Sequence, residues 1–377
     1  MSTAALSEAF PGPIGLIAPL PPPNGGMAMQ ALQLRRLLEQ EGAQVDMLAT
    51  NAAYRPTWIA RLPGLRAVFR LVPYVFACWR LLGRCRVVHL MANSGWSWHL
   101  FAAPVLILAP WRSTPVIVNY RGGEAHAFFE RSFRWVNPVM RRAASIVVPS
   151  GYLQQVFREF GLDTLVVPNI IDLDLFGAAR ASDGQGDGHD KPFVFVITRN
   201  LERIYGIDVA IRALAVLRER GLEVELEIAG SGPEERALAA LATELQVHDA
   251  VRFLGRLNRE EVAALYRRAD AALNPTTVDN MPNSVIEALA SAVPVISSDV
   301  GGVPYIVTHE ESALLVPVGD VNELASAMQR LLQSPELRTH LTAAGLESVK
   351  AYAWPVVRDQ WRQMYVNVTE RSQKDAN

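Results

Sequence analysis

Cysteine is nearly absent: Cys78 and Cys85 are the only two in 377 residues. So few thiols exclude a disulfide scaffold, and with no signal peptide legible at the start a reducing cytoplasm is expected. The first 13 residues carry no positive charge ahead of an apolar run, so they read as a loose tail. Long hydrophobic runs are missing as well. The longest apolar stretch, near Phe101 to Trp111, is interrupted by Pro104 and Pro110 and is too short to span a bilayer. The seven histidines are scattered and neither cysteine accompanies them, so no metal-ligand spacing is present. Lysine is absent from the first 175 residues, where all 16 basic residues are arginine.

That stretch carries a net charge of +6, and the remainder −8. The arginines cluster. Between Arg55 and Arg86 stand seven of them, no acid, and the aromatics Trp58, Phe69, Tyr74, Phe76 and Trp79. Basic residues interleaved with aromatics suit an anionic membrane surface. A solvated amphipathic helix pair packed on a sheet accounts for the same pattern. Nucleic acid would suit the charge too, but no recognition motif for it is present.

At 377 residues the chain exceeds what one core usually holds, and its half-hydrophobic composition is globular, so two domains are expected. In the first half, apolar runs at Ile14–Pro19, Val45–Leu48, Val87–Met91, Pro115–Asn119, Ile146–Pro149 and Leu165–Pro168 read as strands alternating with helices. Gln30 to Glu41 is the clearest helix, with Leu32, Leu34, Leu37 and Leu38 giving an apolar stripe. Residues 181–192 are rich in Gly and Asp and read as a linker. Strands then restart at Phe193–Thr198, Val224–Ala229, Val251–Leu254, Ala271–Asn274, Pro294–Ser298 and Leu314–Pro317. The alternation predicts two doubly wound α/β domains, residues 1–180 and 193–350, with a final helix in 351–377.

Residues 270 to 304 carry the chemistry. A strand to Asn274 is stopped by Pro275, a polar loop runs from Thr276 to Asn283, a helix opens at Ser284, and a second strand ends before Gly301-Gly302. Ligands of parallel sheets sit beyond the carboxyl ends of the strands, and the amides opening a helix favour an anion such as a diphosphate. Asp279 and Glu287 bracket that helix start and are free to accept hydrogen bonds from hydroxyls. A diphosphate between two hydroxyl-rich rings describes a nucleotide sugar.

Asp279, seven residues, Glu287, then Ala288, Pro294-Val295 and Gly301-Gly302 together resemble the donor-site signature of glycosyltransferase family 4. Gly25-Gly26, Pro149-Ser150, Pro168-Asn169, Gly230 to Pro233 and Leu265-Tyr266 extend the resemblance along almost the whole chain. It implies the GT-B fold, two Rossmann-like domains facing a cleft, with the final helix crossing back to the N-terminal, acceptor-side domain. It also implies a metal-independent retaining enzyme that takes a nucleoside diphosphate sugar as donor and needs no cofactor. The acceptor is then a glycan or a lipid-linked molecule, in bacterial surface polysaccharide or glycolipid synthesis, with the protein cytoplasmic or peripheral at the membrane.

On this resemblance Gly25, Gly26 and Arg199 bind the diphosphate. Asp279 and the backbone of Asn280, Met281, Pro282 and Asn283 hold the sugar, with Ser284 also in the binding loop, and Glu287 holds ribose hydroxyls or anchors its loop. His126, in the segment after the strand ending at Asn119, takes the place of a histidine near the transferred sugar; Arg121 and Glu124 beside it are acceptor-side candidates. The family's usual lysine is replaced by Tyr205, and Arg203 is the candidate second cation. Asp279 is one methylene shorter than the usual Glu, about 1.5 Å less reach. Ala292 stands where Gly is commoner. Two further readings remain open at this level, a nucleotide-sugar epimerase of the same fold and a non-catalytic partner in polysaccharide assembly.

Overall fold

The apolar runs fold as twelve strands in two parallel sheets. The computed structural model describes residues 10–21, 25–52, 65–177 and 191–376. The first sheet contains β1 (Ile14–Ala18), β2 (Val45–Ala49), β3 (Val87–Ala92), β4 (Val116–Tyr120), β5 (Ser145–Val148) and β6 (Leu165–Val166). Its order is β2-β1-β3-β4-β5-β6. The second contains β7 (Phe193–Thr198), β8 (Val224–Ala229), β9 (Val251–Gly255), β10 (Ala271–Asn274), β11 (Val295–Ser298) and β12 (Leu314–Val316). Its order is β12-β11-β10-β7-β8-β9. All pairings are parallel, so each crossover must pass over a face, and helices cover both faces of both sheets.

The chain divides into two compact units, residues 1–170 with 354–377, and residues 171–353. The first therefore ends ten residues earlier than the expected 180. Ile171 and Phe176 are buried in an apolar cluster of the second unit with Tyr266, Val285 and Leu289, and burial decides to which unit a segment belongs. The expected linker falls almost wholly outside the described residues.

Trp354 to Ala376 forms one helix whose Val357, Trp361, Tyr365 and Val368 are buried against β1, β3 and the helix Gly26–Gln40 of the first unit. That helix begins four residues before the expected Gln30. The amide of Met29 bonds back to the carbonyl of Gly25, which carries the turn up to the glycine pair. Behind the final helix, His89 on β3 is fully buried. The Asn119 amide lies 3.0 Å from His89 Nε2 and the Tyr365 hydroxyl 2.7 Å from Nδ1. Loss of hydration lowers His89 to about 3, so the ring is neutral. An amide nitrogen can only donate, so Nε2 accepts, the ring proton sits on Nδ1, and it is donated to Tyr365.

Ala292 turns the chain from the helix Asn283–Ala290 into β11 at φ +57°, the left-handed region where an L side chain is strained. This is the physical reason a glycine is favoured there. Ala292→Gly is expected to raise the unfolding free energy by about 0.5–1 kcal/mol, the left-handed strain less the added chain entropy of glycine. Urea denaturation measures it; an unchanged or lower midpoint contradicts the strain.

Candidate active site

In the second unit the sheet order reverses between β7 and β10, and the crevice beyond their carboxyl ends is where ligands of such sheets bind. Arg199 follows directly on β7, and Asn274 ends β10. Arg199 Nε donates to Asn274 Oδ1 at 3.1 Å. Asn274 is fixed in turn by β11: its amide donates to Ser297 Oγ at 2.9 Å, and that hydroxyl lies 3.1 Å from the Asn274 carbonyl. Three neighbouring strands thus aim one guanidinium.

The acid it meets comes from the motif loop: Arg199 and Asp279 form an ion pair, both largely buried. The face of Arg199 is covered by Tyr205, whose ring centroid lies 4.5 Å from the guanidinium carbon. Burial lowers the guanidinium from its ordinary range while Tyr205, Tyr266 and Glu287 oppose that shift, and the group stays charged.

The loop carrying Asp279 is held along its length. Thr277 N and the Thr276 hydroxyl both donate to the Ile204 carbonyl, at 2.7 and 3.0 Å, and Gly302 N donates to the Asp279 carbonyl at 2.8 Å. At Gly301-Gly302 a Cβ would overlap the Asp279 and Asn280 carbonyls, so the glycine turn exists to let the loop backbone lie against it. Asn280 and Met281 are buried, Met281 within the apolar cluster. Pro282 caps the helix Asn283–Ala290 without a side-chain bond. Tyr266, which sequence reasoning noted only as a family match, ties this helix to the sheet. Its hydroxyl lies 2.5 Å from Thr198 Oγ1 and donates to the Ser284 carbonyl at 3.0 Å.

Glu287 projects from the same helix. Its carboxylate makes no hydrogen bond or ion pair to a described residue, and burial lifts it to about 7 against the opposing pull of Arg259 and Arg199. Arg259 reaches Asp172 at 3.5 Å and lies over Phe176. A half-buried carboxyl whose proton is held more tightly than usual, under the field of two arginines at a switch point, is suited to accept from a ligand hydroxyl.

Arg203 does not join this cluster. Its side chain is 88 % exposed and pairs with Glu234 at 3.5 Å, because the turn that brings Tyr205 inward leaves Arg203 on the outside. His126 belongs to the first unit. The strand β4 ends at Tyr120, and His126 falls on the second residue of the helix Ala125–Met140. There it is exposed, with Glu130 and Glu159 each 3.6 Å away and its ring against Phe160. The strand end offers Arg121 instead. It follows β4 directly, bonds Asn119 at 3.2 Å and Asn169, and joins the His89–Tyr365 network through Asn119. Glu124 is an exposed residue capping the helix His126 occupies.

Also in the first unit, a pocket of about 230 Å³ lies at the carboxyl ends of β1 and β3, the point where that sheet's order reverses. Gly25, Thr50, Asn51, Asn93 and Ser97 line it with Met27 and Phe101. Gly25 meets open space there, and the family-like Gly26 begins the helix beside it. Among the described residues no group of three or more His, Cys, Asp or Glu is placed to hold a metal ion.

Two solved structures share this architecture over nearly the whole chain. Sucrose-phosphate synthase from Thermosynechococcus elongatus matches with a TM-score of 0.78 at 22 % identity, covering 96 % of this chain and 100 % of that one. HepE of Anabaena, solved in complex with UDP, matches with a TM-score of 0.74 at 17 % identity, covering 94 % and 99 %. The fold is GT-B. The family model for glycosyl transferases group 1 matches residues 181–348, and that for Glycosyltransferase Family 4 matches residues 24–175. The chain belongs to glycosyltransferase family 4. Among curated relatives, a phosphatidyl-myo-inositol mannosyltransferase from Mycobacterium leprae is 27 % identical, over 96 % of this chain and 98 % of its own.

The raised Glu287 has a consequence for stability. An unfolded glutamate releases its proton near 4.5, the folded one near 7, so between these values the folded state binds more protons. Stability contributed by the protonated form is complete below about 4.5 and is lost as pH rises through 7. The melting temperature of the ligand-free protein should fall between pH 5 and 8, and the fall should be smaller in Glu287→Gln. Parallel profiles for the two proteins would place the titration elsewhere.

Proposed function

We propose that this glycosyltransferase retains anomeric configuration as it moves a sugar from a nucleoside diphosphate donor to a glycolipid-type acceptor at an anionic membrane surface. The observation that carries the donor half is the buried Arg199–Asp279 pair with the half-buried Glu287 at the β7/β10 switch point. On donor binding, diphosphate oxygens compete with Asp279 for Arg199. The guanidinium then neutralises the charge that develops on the leaving diphosphate, and Asp279 is released to accept from a sugar hydroxyl. Glu287, ionised above about 7, accepts from ribose hydroxyls. In a front-face transfer the leaving phosphate takes the acceptor's proton, so no side-chain base is needed. HepE's complex with UDP supports a nucleoside diphosphate as ligand.

The acceptor half rests on the first unit. Its pocket combines hydroxyl and amide groups with Met27, Met91 and Phe101, which suits a polyhydroxylated head with an apolar neighbour. The name of the Mycobacterium leprae relative points the same way. The membrane half rests on the helix Leu65–Leu82. Tyr74, Cys78, Leu81 and Leu82 face the core, while Phe69, Val72 and Phe76 lie exposed on the opposite side, followed by exposed Arg80, Arg84 and Arg86. Exposed aromatics beside exposed arginines fit an anionic lipid surface. Arg70 is not part of that surface, since it donates to the Thr50 carbonyl at 3.0 Å and lies over Phe101. Arg55 and Arg61 lie outside the described residues. No helix of the described residues is long and apolar enough to cross a membrane.

A panel of UDP, GDP and their sugars tested by thermal shift identifies the donor, because a ligand that binds only the folded state raises its stability. Arg199→Ala should weaken the nucleoside diphosphate by ~2–3 kcal/mol, the scale of lost charge-assisted hydrogen bonds. Asp279→Ala should reduce turnover more than binding. Wild-type turnover in both variants would refute this assignment of the site.

Vesicle co-sedimentation addresses the membrane. Binding to phosphatidylinositol-containing vesicles should weaken as salt rises, because exposed charges are screened beyond about 10 Å at 0.1 M. Replacing Arg80, Arg84 and Arg86 by Gln should lower it without altering the melting temperature. Equal, negligible pelleting with anionic and neutral vesicles would leave the arginines as solvating residues only.

A further inference from the structure

Tyr205 ends the short helical turn Arg203–Tyr205, and Gly206 after it stands at φ +59° with its missing Cβ against the Pro275 carbonyl. Any other residue at 206 would push this turn away from the start of the Asp279 loop. The backbone before the tyrosine is held too: Tyr205 N donates to the Glu202 carbonyl at 3.0 Å. The ring is partly buried against the apolar core of the second unit, so its plane is fixed where it covers Arg199. Its hydroxyl makes no hydrogen bond to a described residue.

These observations place a neutral donor with unspent capacity next to the single buried guanidinium of the site. The guanidinium already has Asn274 on Nε and Asp279 on a terminal nitrogen, so a ligand anion must share it with the carboxylate or displace the carboxylate. An aromatic face attracts the cation without supplying a competing acceptor, so it aligns Arg199 and leaves its in-plane N–H groups for an anion. Arg203, turned outward to Glu234, supplies no second charge.

We propose that Tyr205 is a ligand of the donor diphosphate: its ring holds the Arg199 guanidinium in plane, and its hydroxyl donates to a phosphate oxygen. The site then binds its diphosphate with one cation and one phenol. This rests on the reading of the site as a nucleoside diphosphate site, and the experiment separates the two.

Isothermal titration of the full chain with UDP and GDP, and with uridine and guanosine as phosphate-free controls, is compared among wild type, Tyr205→Phe and Tyr205→Leu. Tyr205→Phe keeps the ring and loses only the hydroxyl; it should bind the preferred diphosphate roughly 10-fold more weakly, the lower end for a hydrogen bond to a charged group. Tyr205→Leu should lose about another 3- to 10-fold through the missing cation–π contact. Neither variant should change nucleoside binding, which a general loosening of the site would. Diphosphate affinity unchanged in Tyr205→Phe overturns the hydroxyl's role, and Leu equal to Phe overturns the ring's. A wild type that binds neither UDP nor GDP removes the donor-site reading, and this inference with it.

Discussion

The second unit is organised around one buried positive charge. A guanidinium taken out of water loses several kcal/mol of hydration, and an ion left without compensation in such a place is strongly destabilising. Arg199 is answered from three directions: by Asp279 through charge, by Asn274 through a fixed acceptor, and by Tyr205 through its π face. Each answer enlists a further element. Asn274 needs Ser297 of β11, Asp279 needs the loop pinned to the Ile204 carbonyl and to Gly302, and Tyr205 needs the turn that Gly206 permits. The shape of the loop is thus a consequence of burying a cation at the strand end. The same arrangement keeps the site responsive, because an incoming anion meets a charge whose resident partner is a carboxylate it can replace.

The first unit solves a different problem with a neutral network. The final helix docks Trp361 and Tyr365 over β3, and the only polar side chain of that strand, His89, is left in the dark between them and Asn119. Neutrality is the inexpensive solution: the imidazole can satisfy both nitrogens, one as donor and one as acceptor, with no charge to solvate. Asn119 then passes the order on to Arg121 beyond β4. Residues contributed by the last 24 positions of the chain therefore help to fix a strand end formed some 240 positions earlier, and that linkage ties the C-terminal helix to the first unit's functional edge.

Much of this was legible in the residues. All twelve strands were readable because buried parallel strands are continuous apolar runs bounded by Gly, Pro and polar clusters, and such runs as Phe193–Thr198 admit few alternatives. The Asp279–Glu287 spacing and the Gly301-Gly302 turn located the loop, and Ala292 in place of a glycine marked the strained turn that the φ angle shows. Arg203, turned outward to Glu234, and His126, exposed at a helix start, show what spacing leaves undecided. Each is a few residues from a strand end, and sequence distance alone cannot say whether the next turn points a side chain inward or outward. A helix begun at Ala125 leaves His126 exposed in its first turn, and a tight turn at 203–205 sets Tyr205 rather than the expected arginine against Arg199.

By itself the sequence determined the periodicities: which segments are strands, that there are two doubly wound sheets, and that an acid pair brackets a helix start. These are local properties, fixed by the hydrophobic pattern and by glycine and proline chemistry. Tertiary structure alone decided the partners. That Arg199 meets Asp279 across 80 positions, that Tyr205 covers it, that His89 is neutral under Tyr365, and that Ile171 belongs with the second unit all depend on which surfaces exclude water together. Burial converts ordinary side chains into a paired cation, a near-neutral carboxyl and a silent imidazole, and burial is a property of the packed molecule.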